Sequence, residues 1–164
     1  MVLIVEPARP AELDDVRSLM RAFVAWHRAR HVEDSALIDR YFDQRAFDEE
    51  LAGLPGKYSP PGGCILLAWQ GDEAAGCIAV RPWSGGDCEM KRLYVRPDFR
   101  GGLGRRLVDE ILAWSRQAGY SRILLDTLPS MGAAQRLYQD LGFEEIEPYR
   151  PNPVVGTKYF ALSL

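Results

Sequence analysis

The chain lacks any apolar stretch long enough to span a bilayer. Met1 to Val5 is closed by Glu6 and Pro7, which is too short even for the apolar core of a secretory leader. Histidine is scarce, at His27 and His31 alone, and the three cysteines, Cys64, Cys77 and Cys88, cannot all pair and show no metal-ligand spacing. No metal is expected, and a reducing cytoplasm is the natural compartment. A basic excess is missing too: 20 Lys and Arg stand against 23 Asp and Glu, for a net charge of -3. Neither nucleic acid nor a membrane is therefore an expected partner. Repeats and low-complexity tracts are also absent.

What remains is 164 residues with 47% apolar content, which suits one domain over 1–164 with a real core. Val2 to Val5 reads as a strand, and Pro10, Glu12, Asp14 and Asp15 mark a helix start. Leu13, Val16, Leu19, Met20, Phe23 and Val24 form its apolar face, and the helix should run out into a loop near Trp26, His27 and His31. As loop histidines, the last two are expected to be solvated or hydrogen-bonded. Asp34 or Ser35 can cap a second helical stretch carrying Leu37, Ile38, Tyr41 and Phe42, followed after a break by Phe47 and Leu51. A Gly- and Pro-rich loop follows, from Gly53 to Gly63.

Two strands joined at Gly71-Asp72 then feed a third that starts near Cys88. After a helix ending at Gly119, Ser121 to Asp126 should lie parallel to Leu93–Val95. Ser130 can cap the next helix, which Gly142 ends, and strands from Phe143 to Glu147 and from Thr157 to Leu164 complete the chain. The expected fold is α/β (α+β), a mixed, mostly antiparallel central sheet flanked by helices on both faces.

The chemistry-bearing stretch is Glu89 to Leu107, EMKRLYVRPDFRGGLGRRL, where a strand enters a glycine turn that opens a helix. Gly101, Gly102 and Gly104 let backbone N–H groups converge on the positive end of the helix dipole, and Arg100, Arg105 and Arg106 add cations. A phosphate or pyrophosphate suits that place. A dinucleotide fingerprint, Gly102-x-Gly104-x-x-Leu107 with Asp126 on the ribose, fits poorly, because Leu107 replaces the third glycine and the strand carries Glu89, Lys91 and Arg92.

The same stretch resembles the acyl-coenzyme A loop of the GNAT N-acetyltransferase family, in Val95, Pro97, Arg100, Gly102 and Gly104. The spacing departs by one, since Phe99 falls at the family's Arg/Gln position. Downstream, Ala134, Leu137, Tyr138, Leu141, Gly142 and Phe143 match a second family segment, with Met131 where many members carry Asn. The resemblance implies acetyl transfer from acetyl-CoA, as cosubstrate, to a primary amine by direct attack in a ternary complex. It implies coenzyme contacts from Leu93, Tyr94, Val95, Arg100, Gly101, Gly102, Leu103, Gly104, Arg105, Ser130 and Ala134. Tyr138 matches the family's general acid. The alternative is a non-catalytic acyl-CoA-binding or regulatory module of the same fold.

A lysine-like amine at pH 7 lies about 3.4 units below its pKa, so deprotonation costs about 4.6 kcal/mol and a base is useful. The resemblance implies Glu89 as the candidate, since several GNAT enzymes carry a glutamate at this spacing, six residues before the position of Val95; the bland reading pairs it with Lys91 or Arg92. Cys88 should face away from Glu89, so no acetyl-enzyme is expected. Trp26, His31, Trp83 and Asn152 are the acceptor-site candidates implied by analogy. The acceptor itself is expected to be a small-molecule or peptide amine, with a homodimer as an allowed assembly.

Overall fold

The computed structural model describes every residue except 31, 33, 34 and 42, and the side chains at 37 and 41 also fall outside the description. The expectations placed on His31, Asp34, Phe42 and the Leu37 and Tyr41 side chains therefore lie outside the described residues. Seven strands, β1 Val2–Val5, β2 Cys64–Gln70, β3 Glu73–Pro82, β4 Asp87–Val95, β5 Arg122–Thr127, β6 Glu144–Ile146 and β7 Lys158–Ser163, form one sheet in the order β1-β2-β3-β4-β5-β7-β6. Only β4 and β5 pair in parallel.

Helices cover both faces. α4 Leu103–Gln117 and α5 Gly132–Asp140 pack on one side over Ile78, Cys88, Met90, Ile123 and Phe160. On the other side α1 Pro10–Arg30, α2 Ser35–Tyr41 and α3 Gln44–Ala52 cover Leu67, Cys77, Ala79 and Tyr94. The period of two along β3 and β4 sends alternate side chains to these two cores.

α1 starts where Pro10 and Glu12 place it, with the Glu12 carboxylate accepting the Ala8 and Arg9 N–H groups at 2.9 and 3.0 Å. It runs further than its apolar face suggests, to Arg30, so Trp26 and His27 are helical. His27 is 1% exposed and packs against Phe23 and Trp26, which corrects its expected place in a solvated loop. Ser130 is not a cap either. α5 starts one residue later, at the Met131 boundary, without a side-chain cap bond.

The decisive departure lies in β4 and β5. Their parallel pairing covers Asp87↔Arg122, Cys88↔Ile123 and Glu89↔Leu124, not Leu93–Val95. Arg92 adopts φ 61, and β4 advances from Lys91 to Tyr94 while β3 steps back only from Ala79 to Cys77. That extra residue is a bulge, which bends β4, and pairing with β3 resumes beyond it at Cys77↔Tyr94. Past Glu89 the two strands part, and the sheet opens into a cleft.

Candidate active site

Three cavities follow one another through that opening. The first, about 650 Å³, lies at the mouth of α4, between the glycine turn, α5 and the end of α1. Gly101 and Gly102 adopt φ 114 and 121, and a Cβ at either would meet nothing within 4 Å. Gly102 ends the loop, its carbonyl accepting the Arg106 N–H at 3.1 Å, and the amides of the first turn of α4 have no intrahelical acceptor. Among the described residues, Arg30, Arg100, Arg105 and Arg136 line this cavity and no carboxylate does. Trp26 sits between two of these cations, with Arg30 4.7 Å and Arg100 4.8 Å from its ring centroid. Arg100 is further fixed by its Nε–H donating to the Val95 carbonyl at 3.1 Å. The remaining wall, Leu93, Val95, Ala134, Leu137 and Tyr138, is apolar.

The second cavity, about 60 Å³, is the cleft between the parted strands, lined by Met90 to Leu93 on one side and Leu125 to Leu128 on the other. Phe23, Leu93, Met131 and Tyr138 line both it and the first cavity. The third, about 390 Å³, lies on the α3 side and is charged, with Glu50, Lys57, Lys91, Arg92 and Arg150 in its wall. Lys91 and Arg92 line both it and the cleft. The arginine-rich cavity, the cleft and the chamber of mixed charge thus share walls in sequence, through Leu93 and Tyr138 and then through Lys91 and Arg92.

The acetyltransferase (GNAT) family model matches residues 20–143 of the chain. The chain belongs to the GNAT family. An uncharacterised N-acetyltransferase of Schizosaccharomyces pombe is 41% identical over 158 residues, covering 94% of this chain and 90% of that one. An acetyltransferase of Streptococcus agalactiae superposes with a TM-score of 0.75 at 19% identity, over 99% of this chain and 98% of that one. The PaiA N-acetyltransferase of Thermoplasma acidophilum, solved in complex with coenzyme A, gives 0.75 at 15% identity, over 100% and 99% of the two chains. At those identities the two structures speak for the fold.

Within this GNAT domain the structure gathers Leu93, Tyr94, Val95, Arg100, Gly101, Gly102, Gly104, Arg105, Ser130, Ala134 and Tyr138 around the first cavity. Leu103 turns its side chain into the core, 5% exposed, and offers the turn only its backbone. Trp26 lies there too, not on an acceptor wall. Asn152 lines the cleft, its Nδ2 donating to Asp126 at 3.4 Å. Trp83 lines none of the three cavities and instead packs edge-on against Tyr149, 5.3 Å between centroids.

Glu89 is placed differently from its expected role as an accessible base. Its residue is 0% exposed and it lines none of the three cavities. One carboxylate oxygen accepts from the Tyr149 hydroxyl at 2.6 Å and from Arg150, so its ion-pair partner is neither Lys91 nor Arg92. Burial and the Glu89 charge both hold the Tyr149 phenol protonated, well above its ordinary pKa. Arg150 also approaches Asp126, Nε to Oδ2 at 3.5 Å, and Lys91 reaches the same carboxylate at 3.9 Å.

Sequence reasoning missed Arg30, Arg136, Tyr149 and Arg150 as site residues, since nothing local marks them. Asp126 was singled out only as a ribose ligand, and the structure puts it in the cleft.

Glu50 anchors the charged chamber. Its carboxylate takes the Arg92 guanidinium at 3.0 and 3.2 Å and Lys57 at 2.7 Å. Burial would raise its pKa, but the charge and hydrogen bonds of Arg92 and Lys57 outweigh it, lowering it from 4.5 to about 2. A depressed folded-state pKa stabilises above the unfolded value and is lost as pH falls through the folded one. The melting temperature of the wild type should therefore fall more steeply than that of Glu50→Gln between pH 4.5 and 2. Parallel thermal melts of the two proteins across that range check this.

Proposed function

We propose that residues 1–164 act as one acetyl-CoA-dependent N-acetyltransferase domain, transferring an acetyl group to an amine by direct attack in a ternary complex. The carrying observation is the arginine-rich cavity at the glycine turn, which shares Tyr138 and Leu93 with the adjoining cleft between the parted strands. A glycine turn at a helix mouth beside four arginines suits a polyanionic phosphate chain, and the apolar wall suits a pantetheine arm. The PaiA N-acetyltransferase, which shares the fold, was solved in complex with coenzyme A, in keeping with a coenzyme A ligand. When bound, acetyl-CoA supplies an activated acetyl thioester, and transfer leaves an amide and a free thiol.

The chain's own groups divide the remaining work. Beyond Glu89 β4 no longer pairs with β5, and this reading gives the backbone of that stretch, apart from the Arg92 and Val95 carbonyls taken by Cys77 and Arg100, the role of holding an extended arm by strand-like bonds. One such amide at the bulge can polarise a carbonyl in the cleft. Asp126, which lines the cleft and is approached by Lys91 and Arg150, is the carboxylate this reading assigns to receive the proton that the acceptor amine sheds. Tyr138 borders both first and second cavities and burial raises its phenol pKa, so it stays protonated and can donate to the departing sulfur. Tyr138→Phe should lower kcat by roughly 10²-fold, the low end for general acid catalysis, while the melting temperature and coenzyme affinity change little. Steady-state kinetics with a calorimetric binding measurement check both halves.

A covalent acetyl-enzyme has no support. All three cysteines are buried, and burial pushes their thiols up to about 12 at Cys64 and Cys77 and about 11 at Cys88. None lines the three cavities, and Cys88 faces the α4 side, opposite Glu89. Cys88→Ala should cost about 1 kcal/mol of packing and leave turnover within about twofold. An acetylated Cys88 peptide forming and decaying at the turnover rate, followed by quenched-flow mass spectrometry, would refute direct transfer. The function as a whole is tested by thiol release from acetyl-CoA against a panel of amines.

A further inference from the structure

The size of the cleft between the parted strands bears on the acyl group. An apolar cavity of about 150 Å³ admits benzene with its six carbons, so the cleft of about 60 Å³ has room for roughly two to three non-hydrogen atoms. An acetyl group brings an oxygen and a methyl beyond its carbonyl carbon, and an attacking nitrogen completes that number. A butyryl group exceeds it before any nitrogen arrives.

Most of the apolar cleft wall has little freedom to give way. Met90 and Leu125 are 4% and 1% exposed, belong to the core that α4 and α5 cover, and sit on strands, opposite Val80 and Phe160. Tyr138 packs against Phe143 and Phe160, with ring centroids 5.6 and 6.3 Å away. Close-packed side chains of this kind transmit a push and do not absorb it. Met131 is different. It lies outside the strands, at the start of α5, is half-buried, and lines both the cleft and the arginine-rich cavity, so it stands where the two spaces adjoin. Its unbranched side chain is of the kind that fills irregular gaps.

The backbone that carries this side chain is held. The Met131 N–H donates to the Leu128 carbonyl at 3.0 Å, and Gln135 Nε2 donates to the same carbonyl at 3.0 Å. The Met131 carbonyl in turn accepts the Gln135 N–H at 2.9 Å. With the main chain fixed from both sides, the bulk of the side chain at 131 decides how much of the cleft is left to a ligand.

We propose that Met131 determines the acyl donor, restricting it to acetyl and propionyl groups. This rests on the acetyltransferase function proposed above, in which Tyr138 donates to the departing sulfur. Tyr138 lines the same two spaces as Met131, so a thioester with its sulfur at Tyr138 turns its acyl tail to the cleft and against Met131. Alanine at this position removes three non-hydrogen atoms from the wall, enough for the two further methylenes of a butyryl group. Phenylalanine, bulkier and stiffer than methionine, narrows the same space.

The test compares coenzyme A with acetyl-, propionyl- and butyryl-CoA by calorimetric binding and thermal melts, with no acceptor present. It uses the 164-residue chain as wild type, Met131→Ala and Met131→Phe. The quantity read is the ratio of dissociation constants, butyryl- over acetyl-CoA, within each protein, so a general change in coenzyme affinity cancels. In the wild type the ratio should be roughly tenfold or more, the least that one methylene too many costs in a pocket of fixed size. Met131→Ala should bring it to within about threefold of unity, and Met131→Phe should extend the penalty to propionyl-CoA. The two variants act in opposite directions, so one that folds poorly leaves the other to decide. Butyryl-CoA bound by the wild type as tightly as acetyl-CoA, or a wild-type ratio that neither variant moves, would overturn the role of Met131 and leave the acetyltransferase function standing. No binding of coenzyme A or of any acyl-CoA would overturn both.

Discussion

Replacing Gly102 by valine is expected to abolish the rise in melting temperature that coenzyme A produces. At 100 times its dissociation constant, a ligand that binds only the native state adds about 2.7 kcal/mol, which a thermal melt resolves easily. Gly102 holds φ 121, a conformation L side chains rarely adopt, and its Cβ would point into open space. Gly102 is also part of the lining of the arginine-rich cavity. The substitution thus bends the turn away from its amide-presenting shape and fills the place of a phosphate oxygen, without a clash in the core. Backbone strain of this kind costs about 1–3 kcal/mol, less than the 5–15 kcal/mol of a typical domain, so the variant should stay folded. Gly104→Ala is the matched control. Its Cβ would make ordinary contacts with Leu137 and Val95 at 3.9 Å, and the coenzyme response should survive in part.

The second large effect falls on stability. Arg150→Met is expected to cost about 3–5 kcal/mol, because it leaves Glu89 charged and fully buried with only the Tyr149 hydroxyl on the oxygen that Arg150 served. The other Glu89 oxygen has no hydrogen-bond partner. Glu89→Gln should be milder, since Arg150 keeps Asp126 at 3.5 Å. It also separates two roles for Glu89. A lost base would be rescued at high pH, where the amine deprotonates unaided, whereas a lost tether for Arg150 lowers activity equally across the pH range. The second pattern is expected. Chemical denaturation of the two variants and a pH profile of Glu89→Gln supply the measurements.

The elements that could be read from the sequence are those whose signal is local. Pro10 and Glu12 announce α1, the Gly71-Asp72 turn joins β2 to β3, and Gly101 to Gly104 open α4, each by the chemistry of a few adjacent residues. The end of α1 was not legible, because His27 is kept in the helix by packing against Phe23 and Trp26 and not by propensity. The β4–β5 cleft was hidden for a similar reason. A bulge at Arg92, a residue with no special tolerance for φ 61, is imposed by tertiary structure, and it shifts the register of β4 just past the last residue paired with β5.

The candidate site shows the same division. Its glycine turn and Tyr138 carry family motifs, but Arg30 and Arg136 reach the cavity from α1 and α5, and Arg150 reaches Glu89 from 61 residues away. Long-range ion pairs leave no periodic trace in a sequence. Glu89 was noticed for its spacing to Val95, and only the fold reveals that Tyr149 and Arg150 occupy it.

Incubation of the purified protein with isotopically labelled acetyl-CoA and the amine panel, read by mass spectrometry of the small molecules, tests the central claim most directly. The account predicts at least one acceptor gaining a labelled acetyl group on nitrogen, with one free thiol released per transfer and no labelled protein intermediate. Coenzyme A binding without acetylation of any amine, at any pH between 6 and 9, would contradict it and make the fold a binding module.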